Sequence, residues 1–217
     1  MHRTRPLFRP PVKALVAAAA LLLLWSGPVP AEEIEERLPD AALLDALSEG
    51  GYVLFFRHGA TDTSNPDAIP VVLEDCSTQR PLTDTGRADM TTVGNELAQT
   101  NWPLKEPIHV SIFCRARESA ELLFPHRTLE LDIDLRYTAA LTQAEKAPVL
   151  ARTRELLATP VEAGQNRVVV AHAPNIAELM PYFPAEGALV ILRPLGEGQF
   201  RYEATLNVED WAGIAQD

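Results

Sequence analysis

The sequence has few basic residues and only two cysteines among its 217 positions. Lysine and arginine number 19 against 30 aspartate and glutamate, which gives a formal net charge of −11 at pH 7. Nucleic acid is therefore not an expected partner, because binding to its phosphates needs a surplus of positive charge. The cysteines form no Cys-x-x-Cys pair and have no accompanying histidine cluster, so a zinc site is not expected. Internal repeats are also lacking.

The sequence also lacks an apolar run long enough to span a bilayer comfortably, which takes roughly 20 residues. The longest candidate, Ala14 to Trp25, follows a basic segment and precedes Val29-Pro30-Ala31, whose small residues suit a signal peptidase. We therefore predict a signal peptide at 1–31 and a single mature domain at 32–217. The mature protein is expected to be periplasmic or secreted, without stable membrane insertion. An uncleaved anchor helix is the alternative.

Cleavage at this point would remove four basic residues and no acidic residue, and these four are Arg3, Arg5, Arg9 and Lys13. The mature chain is then more acidic still, which favours solubility. We also expect a monomer, because a high net charge disfavours self-association. The remaining length fits one domain with a full-sized core.

The segment Tyr52 to Phe56 is an apolar run that is followed at once by Arg57, His58 and Gly59. Its β-branched and aromatic residues are typical of a central parallel strand that is buried on both faces. Ligands of open α/β sheets bind at the carboxyl ends of such strands. The sequence therefore predicts that Arg57 and His58 lie at a binding edge.

The same arrangement occurs a second time further along the chain. Val168 to Ala171 read as a buried strand, and His172 follows it directly. Pro174 and Asn175 then mark the start of a helix. Two strands are thus expected to bring two imidazoles to one edge of a sheet.

Strand and helix patterns alternate along the mature chain, which predicts a three-layer α/β/α sandwich with a mostly parallel central sheet. Residues 63–79 have no period and are expected to form a long loop over the binding edge. The predicted helices cover residues 40–47, 83–100, 115–124, 145–158 and a segment after 174. The predicted strands cover residues 53–56, 108–113, 129–135, 168–171, 188–192 and 200–206, and the last two form a hairpin.

Four motifs in a fixed order carry a resemblance to a known family. They are Arg57-His58-Gly59, Leu82-Thr83-x-x-Gly86-Arg87-Ala88, Ser111-x-x-x-Arg115-x-Arg117-Glu118-Ser119-Ala120 and Val170-Ala171-His172-x-Pro174-Asn175. This order resembles the histidine phosphatase superfamily, with its phosphoglycerate mutase-like fold. The resemblance implies a metal-independent enzyme that uses no cofactor.

The resemblance also implies roles for individual residues. His58 would attack phosphorus and become a phosphohistidine, and Arg57, Arg115 and His172 would surround the phosphoryl group. Thr61 and Asn175 are candidate substrate-binding residues. A helix that begins after His58 is expected to add backbone N–H groups to the same site.

Other interpretations of these residues stay open. Either histidine could be a buried structural residue, and Asn175 could simply cap a helix. Arg117 competes with Arg115 for the second arginine position, but the spacing to Ser119 favours Arg115, and Arg117 is expected to pair with Glu121.

Arg80 is undecided between a substrate contact and a surface charge. The two cysteines, Cys76 and Cys114, are expected to form a disulfide in an exported protein, with two buried thiols as the alternative.

The proton donor is where the sequence departs from the family pattern. Many relatives carry an aspartate after the second histidine, but this position is Ala173 here, so the acid phosphatase and phytase arrangement is absent. A leaving-group oxygen nevertheless needs an acid. The sequence does not choose among five candidate carboxylates, which are Asp62, Glu130, Asp132, Asp134 and Glu186.

We expect an exported phosphatase that hydrolyses phosphomonoesters or phosphohistidine. Its substrate would be a small phosphorylated molecule, a phosphorylated envelope component or a phosphoprotein, and the loop at 63–79 would select it. Three alternatives remain: a mutase, a protein of the same fold that binds phosphate esters with little or no turnover, and an envelope protein that uses the fold as a scaffold.

Overall fold

The computed structural model describes residues 1–2 and 34–214 of the chain. The chain separates into two units, Met1–Ala31 and Glu32–Asp217, and the architecture below is that of the second unit. The predicted signal peptide and its cleavage site lie outside the described residues, apart from Met1 and His2. Within the described residues, no helix combines the length and the apolar character that crossing a membrane requires.

The second unit is built around one six-stranded sheet. Its strands are β1 Val53–Arg57, β2 Leu104–Ser111, β3 Leu129–Asp132, β4 Asn166–Ala171, β5 Leu189–Gly196 and β6 Gln199–Leu206. Its helices are α1 Ala41–Glu49, α2 Asp84–Gln99, α3 Cys114–Leu123, α4 Gln143–Ala158 and α5 Ala173–Ala177.

The spatial order of the strands is β3-β2-β4-β1-β5-β6. The first four strands in this order run parallel to their neighbours, whereas β5 and β6 are antiparallel additions at one side. Helices cover both faces of the sheet, because α2 and α3 contribute to one apolar cluster and α4 and α5 to another. The predicted three-layer sandwich with a mostly parallel sheet is confirmed.

Alternation along β1 divides its side chains between the two clusters. Leu54 and Phe56 pack on the side of α2 and α3, and Val53 and Phe55 pack on the side of α4 and α5. All four are completely buried. Burying a side chain of this kind contributes about 1.5–3 kcal/mol each, so this strand is firmly fixed where it ends at the site.

Strand β2 begins four residues earlier than predicted, at Leu104. Its pairing with β4 shifts register between Lys105 and His109, and Pro107 lies inside that shift. Proline has no backbone N–H to donate to the neighbouring strand. This is why the strand pattern in the sequence is interrupted there.

Strand β3 ends earlier than expected, at Asp132. The carboxylate of Asp132 accepts a hydrogen bond from the Asp134 N–H and caps a short 3₁₀ helix over Ile133–Leu135.

Candidate functional site

The two predicted histidines meet at the carboxyl edge of the sheet. Strands β1 and β4 are parallel neighbours with Arg57 paired to Ala171, so the residue after each strand is His58 or His172. Their rings are buried and lie edge to face, with centroids 5.2 Å apart. The topology thus brings together two imidazoles that are far apart along the chain.

One hydrogen bond fixes the tautomer of His58. Its Nδ1 lies 2.9 Å from the carbonyl oxygen of Gly59, and because a carbonyl can only accept, Nδ1 must carry the proton. The other ring nitrogen, Nε2, then keeps its lone pair. A neutral His58 in this state has a nucleophilic nitrogen available.

His172 is held by different groups. Its Nε2 lies 2.8 Å from Oγ of Ser111, the last residue of β2. The edges of Phe113 and Tyr137 meet its ring, with centroids 5.3 and 5.6 Å away. Its Nδ1 is buried and has no hydrogen-bond partner among the described residues.

Both imidazoles are kept in the neutral form. Burial lowers the pKa of His58 and that of His172 well below the ordinary value, and the positive charge of Arg115 adds to both effects. The charges of Arg57 and Arg80 act in the same direction.

Arg115 lies in the first turn of α3 and is completely buried. Its Cζ stands 4.6 Å from the ring centroid of Phe113 and 5.1 Å from that of Tyr137. Nη1 donates to the Asp67 carboxylate at 3.0 Å. Nε and Nη2 are buried and have no partner among the described residues, so Arg115 has N–H donors left for an anion.

Arg57 has a comparable set of contacts. Nη1 donates to the carbonyl of Pro184 at 2.7 Å, and Nη2 lies 3.3 Å from a Glu186 carboxylate oxygen. Nε is buried and lacks a partner in the part of the chain that the structure describes. We call Arg57, His58, Arg115 and His172 the cradle.

Thr61 contacts Glu186, and its contact with substrate stays a prediction. Its hydroxyl donates to Glu186 at 2.7 Å, and its backbone N–H points to the same carboxylate at 3.3 Å. The prediction of a helix after His58 is wrong, because Thr61 forms an isolated bridge with Leu82 and the Asp62 N–H donates to the carbonyl of Pro81. Extended pairing satisfies these backbone groups instead, and α2 begins only at Asp84.

The second and third motifs support the turn that carries His58. Oγ of Ser119 accepts the Gly59 N–H at 2.9 Å and donates to the carbonyl of Arg115 at 2.7 Å. Gly86 packs so closely on this turn that a Cβ there would lie 2.3 Å from the Ala60 oxygen. These contacts explain the need for a hydroxyl at 119 and for no side chain at 86.

Glu186 is the one candidate acid that contacts the cradle. The other four are engaged elsewhere: Glu130 with the His109 ring, Asp132 with Arg152, Asp134 with Arg136, and Asp62 with the backbone and hydroxyl of Ser64.

Sequence reasoning missed a second carboxylate at the site, Asp67. It lies in the loop between β1 and α2, where its carboxylate accepts from Arg115 and, at 2.7 Å, from the Arg80 N–H. No periodic pattern could have indicated it, since the loop is aperiodic. Arg80, which the sequence left undecided, lies close enough for its charge to lower the pKa of every cradle residue.

The remaining predictions concern contacts around the site. Asn175 is buried and donates to the carbonyls of Leu135 and Arg136 at 3.2 Å, which holds the segment that leads to Tyr137; its contact with substrate stays a prediction. Arg117 pairs with Glu121 at 3.7 Å, as expected.

Cys76 and Cys114 form a disulfide, so the loop is tied to the residue before Arg115. Among the described residues, no group of three or more His, Cys, Asp or Glu side chains could hold a metal ion.

The arrangement defines an α/β protein with a site for a tetrahedral anion beside a nucleophilic imidazole. The model of the histidine phosphatase superfamily (branch 1) matches residues 53–142. This match confirms the resemblance to the histidine phosphatase superfamily and the expected enzyme class, a histidine phosphatase.

Two solved structures with a TM-score of 0.50 have the same fold. A mycobacterial hydrolase is 18% identical with a TM-score of 0.50, over 71% of this chain and 97% of its own. A phosphoserine phosphatase variant from Entamoeba histolytica, in complex with phosphoserine, is 12% identical with a TM-score of 0.50, over 73% and 98%. The protein histidine phosphatase SixA, complexed with tungstate, is 20% identical with a TM-score of 0.49, over 73% and 98%. A search of curated proteins gives no significant match.

Proposed function

We propose that the protein is an exported phosphatase that hydrolyses phosphomonoesters through a covalent phosphohistidine on His58. The observation that carries the proposal is the convergence of two neutral imidazoles and two guanidinium groups, with buried N–H donors of Arg57 and Arg115 still without a partner among the described residues. Guanidinium groups suit the equatorial oxygens of a phosphoryl group, because they donate paired hydrogen bonds and keep their charge.

In the first step, the lone pair on Nε2 of His58 attacks phosphorus, and the bond from phosphorus to the ester oxygen breaks. The departing oxygen keeps the electron pair and takes a proton from a carboxylic acid at the site. In the second step, water attacks phosphorus and the phosphorus–nitrogen bond breaks. The electron pair returns to Nε2, the water proton passes to the carboxylate, and inorganic phosphate is released.

His172 stabilises the charge that develops on the phosphoryl oxygens. The Ser111 hydroxyl lies on its Nε2 at 2.8 Å and can donate its proton there. The imidazole then carries its own proton on Nδ1, the nitrogen without a partner in the described part of the chain. This Nδ1–H is the donor that we assign to an equatorial oxygen.

Asp67 is the carboxyl group that we propose as the proton donor. It contacts Arg115 and also lines the cavity beside the cradle, where a leaving group has room. Glu186 contacts Arg57 and Thr61 and does not line that cavity. We therefore assign Glu186 to positioning these two residues.

Hydrolysis of p-nitrophenyl phosphate tests the proposal. The mature protein and a His126→Ala control, which changes an exposed histidine outside the cradle, should hydrolyse the ester, and His58→Ala should not. Radiolabelled substrate, quenched without acid, should leave label on the first two proteins alone. Equal hydrolysis by His58→Ala would contradict the proposal. Binding of phosphate without turnover in any form would favour the phosphate-ester-binding alternative.

The mature N-terminus tests the proposed export. Periplasmic or secreted protein that begins at Glu32, as measured by intact mass, is the expected result. Full-length protein that is retained in the cytoplasm would contradict export while leaving the phosphatase assignment intact.

A further inference from the structure

A cavity of about 570 Å³ opens beside the cradle. One wall is the loop segment 66–73, and the other includes Phe113, Tyr137 and Leu141. Phe113 and Tyr137 are also the two rings that face Arg115 and His172. The cavity therefore adjoins the cradle, and the organic part of a phosphate ester held in the cradle has this space next to it.

The loop wall presents apolar side chains to this space. Ile69 is completely exposed, at 99%, and it is flanked in the cavity lining by Pro70 and Leu73. Most of the residues that line the cavity are apolar, which is typical of ligand sites, and an apolar group bound there would cover Ile69.

Three polar side chains of the lining are engaged with the protein itself, whereas Nε of Arg80 is buried and has no partner among the described residues. The Glu145 carboxylate accepts from both the backbone and the hydroxyl of Thr142 in the capping box of α4. Arg136 lies 3.4 Å from the Asp134 carboxylate, and Asp67 pairs with Arg115. A leaving group with many hydroxyls would exchange its hydrogen bonds to water for few new ones, which costs binding free energy.

We infer that this cavity is a leaving-group subsite for an apolar alcohol, so that the preferred substrates are monoesters of alkyl or aryl alcohols and not sugar phosphates. This inference rests on the proposed phosphatase function. It narrows the candidate substrates from any small organic phosphate to those with a substantial apolar group. Ile69 is then a residue that determines specificity without touching the reacting atoms.

Binding of non-hydrolysable alkylphosphonates measures the subsite apart from turnover. From ethyl- to hexylphosphonate, affinity should rise about two- to fourfold for each added methylene, as expected when each one leaves water for an apolar site. The kcat/KM of the matching alkyl phosphates should rise with the same slope, since the alcohols are similar leaving groups. Hexyl phosphate should be a better substrate than glucose 6-phosphate.

The Ile69→Ser variant tests the loop wall directly. Because the side chain is fully exposed, its loss should leave folding intact, lower the affinity for hexylphosphonate about fivefold or more, and leave that for ethylphosphonate unchanged. Leu195→Ser is the matched control, since Leu195 is also exposed but lies near the far end of β5 from the site.

The outcomes separate the two proposals. The subsite would be overturned if the esters were hydrolysed without any dependence on alkyl length and if Ile69→Ser bound hexylphosphonate as tightly as the Leu195→Ser control. The proposed phosphatase function would then still hold. A clear length dependence of phosphonate binding, together with no hydrolysis of any ester, would support the subsite and refute the proposed turnover.

Discussion

The carboxylate of Asp67 lies 3.0 Å from Nη1 of Arg115, a side chain with no exposed surface. Glu186 stands in the same relation to Arg57, at 3.3 Å. In the free protein, each guanidinium of the cradle is thus already paired with a carboxylate. The N–H groups of Arg57 and Arg115 that have no partner among the described residues remain available to a phosphoryl group beside these carboxylates.

The first prediction concerns the identity of the acid. Asp67→Asn should lower kcat/KM for an alkyl phosphate about a hundredfold or more, because an alkoxide leaving group needs a proton. The loss of kcat/KM should be much smaller with p-nitrophenyl phosphate, whose leaving group is a weak base. The measurement is the ratio of kcat/KM values for the two esters in each protein, since kcat/KM reports the step in which the leaving group departs.

Two variants complete this experiment. Glu74→Gln removes an exposed carboxylate from the same loop and should leave both kcat/KM values unchanged. Glu186→Gln should lower activity on both esters by a similar factor, since it disturbs the positions of Arg57 and Thr61. A loss that depends on the leaving group in Glu186→Gln, and not in Asp67→Asn, would transfer the role of acid to Glu186.

The second prediction is a dependence of stability on pH that arises from the buried imidazoles. Burial lowers the pKa of His58 and of His172 in the folded state, so below about 6.5 the unfolded chain binds more protons than the folded chain. The free energy of unfolding should be highest above that value. It should fall as the pH drops below it, by up to about 1.4 kcal/mol per pH unit for each ring.

Urea unfolding just above and one pH unit below the ordinary histidine pKa measures this slope. His172→Gln should remove part of it, with the rest left to His58 and to His109, whose pKa burial also lowers, and His126→Ala should leave it unchanged. A free energy of unfolding that is flat across this interval would mean that the two rings are not held neutral by the fold.

The third prediction concerns the disulfide. Cys76 and Cys114 are 38 residues apart, and closing a loop of this length stabilises a protein by about 4 kcal/mol in the chain-entropy model. The double Cys76→Ser, Cys114→Ser variant should therefore lose about 2–4 kcal/mol of unfolding free energy. Its activity on alkyl phosphates should also fall, because the loop that carries Asp67 is then no longer covalently tied to α3.

A thiol reductant provides the control for this variant. The sequence has no other cysteine, so the reductant should weaken the wild-type protein to the level of the double variant and leave the variant unchanged. Wild-type stability that does not respond under denaturing, reducing conditions would contradict the predicted contribution.

The parts of the site that could be predicted are those that local sequence determines. His58 and His172 each follow a run of buried residues, and a parallel sheet necessarily brings the ends of such runs to one edge. The position of Arg115 follows in the same way, since it comes just after β2, in the first turn of α3.

The parts that could not be predicted depend on contacts distant in sequence. Asp67 reaches Arg115 only through the fold of an aperiodic loop, which is held by the disulfide and by the contact of Asp67 with the Arg80 N–H. The helix expected after His58 fails for a similar reason, because Leu82 and Glu186 supply the partners that Thr61 would otherwise have found locally. Composition carries no information on either contact.

The bond between Cys76 and Cys114 joins the loop that bears Asp67 and Ile69 to the helix that bears Arg115. Under the proposed export, a newly made chain would lack this bond until it left the reducing cytoplasm. Full catalytic competence would then arise only beyond the inner membrane. The enzyme would then not hydrolyse phosphate esters inside the cell that makes it, because the disulfide would form only after export. No separate inhibitor would be needed.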